Sequence, residues 1–221
     1  METVIEALPR RERERLARRA EMLVAAQEVF AEKGYTDATL EEVASRAEYG
    51  KGTLYNYFPG GKQEILLAIV EQFHDELCDR ISATFGPQPD RPFREALQEF
   101  FEHTFQFFLE RTELFLTLLR EAHRIGFSDD PAPREFFVRQ RARAIDALSI
   151  PLEHAMLTGE LRPMGARLLA HMILVNLNGA QMRACMAHDD PTCGFPESAK
   201  ELASLMTSLI LDGAGPARPA V

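Results

Sequence analysis

Glycine and proline divide this chain into long stretches that contain neither residue. The breaks lie at Gly34, Gly50, Pro59-Gly60-Gly61, 86–89, 126–133, Arg162-Pro163, 191–196 and the tail after Asp212. Few segments between these breaks alternate apolar and polar residues, and the Val/Ile/Thr runs typical of strands are absent. The pattern therefore predicts an all-α fold with nine helices, at residues 10–33, 40–47, 51–57, 62–84, 92–109, 112–125, 133–158, 164–187 and 197–212.

The composition is that of an ordinary globular protein, with 221 residues of which 46% are hydrophobic and 27% are charged. The longest apolar run, residues 65–70, is too short for a membrane span, and residues 1–6 lack the basic and apolar regions of a signal peptide. A cytoplasmic location is expected. Cys78, Cys185 and Cys193 are scattered without a Cys-x-x-Cys pair, so neither a disulfide framework nor a zinc knuckle is indicated and free thiols are expected. No metal site and no cofactor are expected.

The charge is unevenly distributed along the chain. The formal net charge is -9, but residues 10–19 contain six arginines and two glutamates. Two interpretations of this run remain open. It is either a charged helix face, because the glutamates lie three and four residues from arginines, or an N-terminal extension that contacts phosphates or the DNA minor groove.

Two short predicted helices follow one another closely after residue 39. Thr39 and Glu42 have the spacing of a capping box at the start of the first of these helices. The turn Glu48-Tyr49-Gly50 then leads into the second helix, at residues 51–57. Two short helices joined by a glycine-containing turn are typical of a helix-turn-helix, whose second helix enters the DNA major groove.

The second short helix has one polar and one apolar side. Leu54 and Phe58 are spaced to anchor it in a core, and Gly52 would let the backbone approach a phosphate closely. Its polar side chains are Lys51, Thr53, Tyr55, Asn56 and Tyr57. The alternative is a solvated bundle helix whose tyrosines cap the core.

Residues 20–66 resemble the DNA-binding domain of the TetR family of transcriptional regulators. The matching segments are Ala25-Ala26, residues 29–35, Thr39-Leu40 with Val43-Ala44, residues 51–58, and Lys62. The resemblance implies that Thr39, Tyr57 and Lys62 bind phosphates. It also implies that Lys51, Gly52, Thr53 and Tyr55 face the major groove.

The same resemblance implies a nine-helix TetR-like fold with two domains. The DNA-binding domain would comprise residues 1–61 and the ligand-binding and dimerisation domain residues 62–213, with helix 62–84 as their shared connector and 214–221 as a flexible tail. Family members commonly form homodimers and bind a small molecule, so we expect a homodimeric repressor that a lipophilic or aromatic effector releases from an operator.

Three features depart from the family pattern. The family usually has Gly-Val-Ser where this chain has Glu48-Tyr49-Gly50, so Gly50 must cap the next helix without a hydroxyl. Glu48 places a carboxylate near the DNA, and Tyr49 must either fill a valine-sized site or turn outward to a phosphate. An extra residue in Pro59-Gly60-Gly61-Lys62 also affects the position of Lys62.

The C-terminal helices have the composition of an effector-binding domain. Helix 92–109 is rich in phenylalanine, which indicates either plain core or an aromatic-lined pocket. Polar residues on apolar arcs could orient an effector, although Thr104 could instead bond its own helix backbone, and His123 could be a satisfied core histidine. The predicted effector site comprises Phe101, Thr104, Phe108, His123 and Asn176. By contrast, His103 falls on the polar stripe.

The last two predicted helices, 164–187 and 197–212, are candidates for the dimer interface. The first is apolar nearly all round, and such a helix must be buried on every face. The pair could be monomer core, but it more naturally supplies half of an intermolecular four-helix bundle, as the resemblance implies.

Two other functions are compatible with a helical chain. A di-iron enzyme needs two Glu-x-x-His motifs, and only Glu71 and His74 provide one. A helical ligand-binding protein that lost DNA binding through its altered turn is the second alternative. We expect a regulator and not an enzyme.

Overall fold

The computed structural model describes residues 8–86, 91–126, 131–186, 196 and 198–213. All nine predicted helices are present there, and no strand occurs in these ranges, which confirms the all-α prediction. Most helix bounds agree with the sequence prediction to within two residues. The helices are α1 (Arg10–Asp37), α2 (Leu40–Arg46), α3 (Lys51–Tyr57), α4 (Gly61–Thr84), α5 (Phe93–Leu109), α6 (Thr112–Gly126), α7 (Pro131–Leu157), α8 (Ala166–Met186) and α9 (Ala199–Leu211).

The boundary between α1 and α2 follows from local sequence signals. Gly34 has φ 75° and ψ 167°, so the regular helix breaks at this glycine although the helical segment continues to Asp37. Thr39 then caps α2: its hydroxyl accepts from the Glu42 amide at 3.2 Å, and its own amide donates to the Glu42 carboxylate at 3.0 Å. The predicted capping box is confirmed.

The chain packs as two compact units. The first contains α1 to α3, α4 up to Gln72, and α6 from Glu113; the second contains α4 from Phe73, α5, α7 from Arg134, α8 and α9. The sequence did not predict that α6 packs with the N-terminal helices. The functional division at residue 61 stays a prediction. The tail 214–221, Cys193 and the side chain of Cys185 lie outside what the structure describes.

The first unit has its own buried core. Apolar side chains of α1, including Phe30, and of α4, including Ile65 and Ile69, are fully buried. Among the polar contacts between its helices, Gln27 donates to Gln72 across α1 and α4 at 3.0 Å, and the buried Thr117 hydroxyl of α6 donates to the Phe30 carbonyl at 3.4 Å.

The second unit is built around the phenylalanines of α5. Phe100, Phe101 and Phe105 are fully buried in one apolar cluster with side chains of α7, α8 and α9. Neighbouring rings are in contact, with centres 5.6 Å apart for Phe100 and Phe101 and 6.1 Å for Phe101 and Phe105. These three residues are therefore core. None of the helices that the structure describes is both long and apolar enough to cross a lipid bilayer.

Candidate functional site

The helix-turn-helix is anchored by two buried residues of its second half. Leu54 and Phe58 are each 1% exposed, as their spacing predicted. Gly50 is the N-cap of α3, and no side-chain hydrogen bond caps this helix. This was expected, because glycine stands where the family usually has serine. The opposite side of α3 exposes the side chains of Lys51, Tyr55 and Asn56.

The turn that precedes α3 contains a residue in the left-handed backbone region. Glu48 has φ 60°, and it stands where the family usually has glycine. The next residue, Tyr49, is half-buried, and its hydroxyl donates to the Glu21 carboxylate on α1 at 2.5 Å. This hydrogen bond raises the pKa of Tyr49. Tyr49 therefore neither fills a valine-sized core site nor turns outward, since its hydroxyl is held by α1.

Lys51, the cation predicted to read bases, has an internal partner. Its ammonium forms an ion pair with Glu41 on α2 and lies 5.9 Å from the centre of the Tyr55 ring. The hydrogen bond between them raises the pKa of Lys51 and lowers the pKa of Glu41. A base contact by Lys51 would therefore replace the contact with Glu41.

Lys62 joins the start of α4 to the end of α1. Its ammonium donates to the carbonyl oxygens of Tyr35 at 2.7 Å, Thr36 at 3.0 Å and Ala38 at 2.9 Å. These bonds use all three of its donors, so a phosphate contact would require one of them to exchange. The extra residue is accommodated because Gly61 adopts φ 66°. The phosphate role of Lys62 stays a prediction.

The other predicted DNA contacts are accessible to different degrees. Thr39 is exposed, and because its hydroxyl oxygen already accepts from Glu42, its proton is available to a phosphate. Thr53 and Tyr57 are half-buried. A Cβ placed on Gly52 would meet nothing within 4 Å, so packing inside the protein does not require glycine there.

The arginine run is helical, because α1 begins at Arg10. Arg10 pairs with Glu14 at 2.7 Å, and both side chains are exposed. At the other end of the run, the Arg19 guanidinium lies 5.0 Å from the centre of the Phe58 ring. These contacts favour the charged helix face over an extended arm, although an exposed helix face can still contact phosphates.

The polar residues predicted to orient an effector mostly bond their own helices. The Thr104 hydroxyl donates to the Phe100 carbonyl at 2.6 Å, and the Asn176 amide donates to the Met172 carbonyl at 2.7 Å. His123 is exposed, with its Nδ1 2.8 Å from the Leu119 carbonyl, and it belongs to the first unit. The backbone alternative for Thr104 is thus confirmed. His103 is exposed, as expected.

The remaining predicted effector residues are the two phenylalanines, which differ in exposure. Phe101 is fully buried, whereas Phe108 is half-buried and lies beside Phe73 with ring centres 6.2 Å apart. Phe108 is therefore the more accessible of the two.

Two buried polar side chains in the second unit were missed by the sequence analysis. Gln181 on α8 is 2% exposed and Thr207 on α9 is 1% exposed, and neither side chain has a hydrogen-bond partner among the described residues. Helical spacing in the sequence could have indicated that both side chains are buried. Gln181 lies four residues after the buried Leu177, and Thr207 lies four residues after the buried Ala203. Buried polar groups without partners are rare in folded proteins.

The expectation that α8 is buried on every face is wrong for the single chain. Four apolar residues are exposed along it, at successive intervals of four, three and seven residues: Leu168, Met172, Val175 and Met182. On α9, Leu205 and Leu209 are also exposed. The opposite sides of both helices are buried, so each helix has one core face and one free apolar face.

Comparison with known proteins places the helix-turn-helix in a family. Residues 22–69 match the family described as "Bacterial regulatory proteins, tetR family". The chain is 36% identical over 104 residues to the HTH-type transcriptional activator FasR of Mycolicibacterium smegmatis, covering 45% of this chain and 45% of that protein. The match thus spans about half of that relative.

Similarity also extends beyond the helix-turn-helix. The chain is 26% identical over 163 residues to the HTH-type transcriptional repressor DhaR of Mycobacterium sp. (strain GP1), covering 71% of this chain and 76% of that protein. FadR from Bacillus subtilis, solved in complex with stearoyl-CoA, has the same fold, with a TM-score of 0.74 and 19% identity over 89% of this chain and 99% of that chain. Residues 22–69, which contain the helix-turn-helix, thus match the TetR family of bacterial regulatory proteins, and the chain as a whole shares the fold of FadR.

Proposed function

We propose that this protein is a homodimeric transcriptional repressor that acts in the cytoplasm and binds operator DNA with α3 in the major groove. The observation that carries the proposal is the exposed polar side of α3 on a helix-turn-helix within the family match. Because each protomer presents one α3, the operator should be a near-palindrome with half-sites about one helical turn or slightly more apart.

The proposed DNA contacts fall into two groups. Lys51, Gly52, Thr53 and Tyr55 face the groove and provide sequence preference. Thr39, Tyr57 and Lys62 bind phosphates and position the protein. The open space around Gly52 supports its role, since a glycine that internal packing does not need is explained by close approach to DNA.

The binding test combines selection from random DNA with a salt titration. Lys51→Ala should change the selected motif, because a base contact contributes ~1–3 kcal/mol of discrimination. Tyr57→Ala should weaken binding to all sequences alike. If the dimer neutralises roughly eight phosphates, affinity should fall ~10³–10⁵-fold between 50 and 200 mM salt. Salt-independent binding, or tight binding by a monomer, would contradict the proposal.

We further propose that the free apolar faces of α8 and α9 bind a second copy of this chain. The residues exposed on α8 form one stripe of alternating four- and three-residue spacing, in which the exposed Gly179 takes the position between Val175 and Met182. Such a stripe is self-complementary across a two-fold axis, and a glycine within it allows two helices to approach closely.

Mass measurement in solution tests this interface. Met172→Glu combined with Val175→Glu should convert the dimer to a monomer, since each protomer would place two carboxylates in an apolar contact. The control is Leu157→Glu, which places one carboxylate at an exposed leucine outside the stripe. A dimer that survives the double substitution, or is lost in the control, would refute this assignment.

Release by a small lipophilic or aromatic effector is the third part of the proposal. The candidate site is the second unit at Phe101, Thr104, Phe108 and Asn176, and His123 stays a prediction from sequence alone. Stearoyl-CoA bound to the structurally similar FadR makes acyl thioesters one class to screen. A 100-fold release would require the ligand to favour the non-DNA state by about 2.7 kcal/mol. Phe108→Ala should weaken both binding and release.

The second candidate function is ligand binding without DNA binding. The Glu48 carboxylate and the pairing of Lys51 with Glu41 favour it, because both reduce the positive charge presented to DNA. Failure to enrich any sequence from random DNA would support this alternative. A reporter placed behind the selected operator distinguishes repression from activation, which matters because FasR is an activator and DhaR a repressor.

A further inference from the structure

The second unit contains two arginines that share one aromatic ring. The guanidinium carbon of Arg80 on α4 lies 4.4 Å from the centre of the Phe107 ring, and that of Arg111, just after α5, lies 4.2 Å from the same centre. Both guanidiniums therefore contact the same ring. The rings of Phe73 and Phe108 pack against Phe107, with centres 5.4 Å and 5.3 Å from it.

Neither arginine has an ion-pair partner in the part of the chain that the structure describes. This contrasts with Arg143 of the same unit, which pairs with Asp75. Arg80 is half-buried, and burial, together with the charge of Arg111, lowers its pKa, while Glu76 acts in the opposite direction. Two cations thus contact one ring where Arg80 has lost part of its hydration, and for Arg80 the charge of Glu76 outweighs that of Arg111.

The contact with Phe107, together with the 3.5 Å hydrogen bond that Arg111 donates to the Phe107 carbonyl, positions the two arginines but does not neutralise their charges. An arginine over an aromatic face is favourable by itself, whereas a second guanidinium beside the first adds repulsion. Although the chain has a net charge of -9, no carboxylate forms an ion pair with either guanidinium within the described residues, and Glu76 offsets part of the charge of Arg80 from a longer distance. An anion that contacts both guanidiniums would offset the remaining repulsion and accept hydrogen bonds from both.

We propose that Arg80 and Arg111 bind the anionic head of an amphipathic ligand, a carboxylate or a phosphate. The apolar part of the ligand would lie against the half-buried rings of Phe73 and Phe108. This proposal deepens the proposed effector response by naming the chemical class of the ligand, and it rests on that response for its biological role.

Calorimetry with the full chain in the absence of DNA tests the site. The probes are dodecanoate, dodecyl phosphate, dodecanol and inorganic phosphate at constant ionic strength. We expect at least one amphipathic anion to bind tenfold or more tightly than dodecanol and than inorganic phosphate. Which of the two anions binds more tightly identifies the head group.

Substitutions then assign the binding to these residues. Arg80→Gln and Arg111→Gln should each reduce binding of the preferred anion tenfold or more without changing dodecanol binding, and Arg80→Lys should retain part of it. Arg162→Gln, a change at another exposed arginine of the same unit, should have no effect. Arg111 is exposed, so its substitution tests the site even if Arg80→Gln impairs folding.

The proposal is overturned if dodecanol binds as tightly as both anions, if inorganic phosphate alone binds as tightly, or if Arg111→Gln binds the preferred anion like the wild type. Operator binding without ligand is measured separately. Its failure would refute the proposed function and leave the anion measurements intact, so the two failures are distinguishable.

Discussion

Glu48 is the residue whose substitution should most clearly change stability. Its φ of 60° places it in the left-handed region, where a side chain costs roughly 1–2 kcal/mol relative to glycine. Glycine loses more conformational freedom on folding, which offsets roughly 0.5–1 kcal/mol of that gain. The exposed Glu48 side chain makes no hydrogen bond or ion pair with any described residue, so little else is lost. Glu48→Gly should therefore stabilise the protein by about 1 kcal/mol.

Urea unfolding measures this difference directly. For Glu48→Gly we expect a higher midpoint at an unchanged slope, since the surface exposed on unfolding stays the same. Glu48→Ala is the matched control, because alanine removes the carboxylate but keeps the unfavourable backbone geometry. Its stability should lie close to that of the wild type.

The same pair of variants separates strain from charge at the DNA surface. Both substitutions remove the carboxylate, so both should increase operator affinity to a similar extent if Glu48 lies near the DNA backbone. The strain argument is refuted if Glu48→Gly and Glu48→Ala unfold at the same urea concentration.

Three further outcomes are expected. Gly52→Ala should stabilise the protein by up to ~1 kcal/mol through helix propensity yet weaken operator binding, and unchanged binding in a mobility-shift assay would contradict close DNA approach. Thr207→Val should raise the free energy of unfolding by about 1 kcal/mol, because it removes a buried hydroxyl that has no partner within the described ranges; a loss measured by urea unfolding would show that the hydroxyl is bonded. The bond with Lys33, and then those with Thr39, lower the pKa of Glu42 from 4.5 to about 2, so this carboxylate stabilises the fold above pH 4.5 and its contribution is lost as pH falls towards 2. Glu42→Gln retains the cap but has no carboxylate to protonate. Its thermal unfolding temperature should therefore fall less than that of the wild type between pH 4.5 and 2.

The sequence alone determined the helices and the recognition motif. Gly34 ends the regular part of α1, the pair Thr39 and Glu42 starts α2, and Leu54 with Phe58 orients α3, as predicted. These signals act between residues that are neighbours or a few positions apart, so their effect does not depend on the rest of the fold. For the same reason the backbone bond of Thr104 could be anticipated as an alternative.

Only the tertiary structure decided which partners the functional side chains have. Lys51 pairs with Glu41, Lys62 binds carbonyls at the end of α1, and the Tyr49 hydroxyl is held by Glu21. Each contact joins residues on different helices, so it depends on how the helices pack and not on local spacing. The approach of Arg80 and Arg111 to one ring has the same origin, because their separation is set by the packing of α4 against the end of α5.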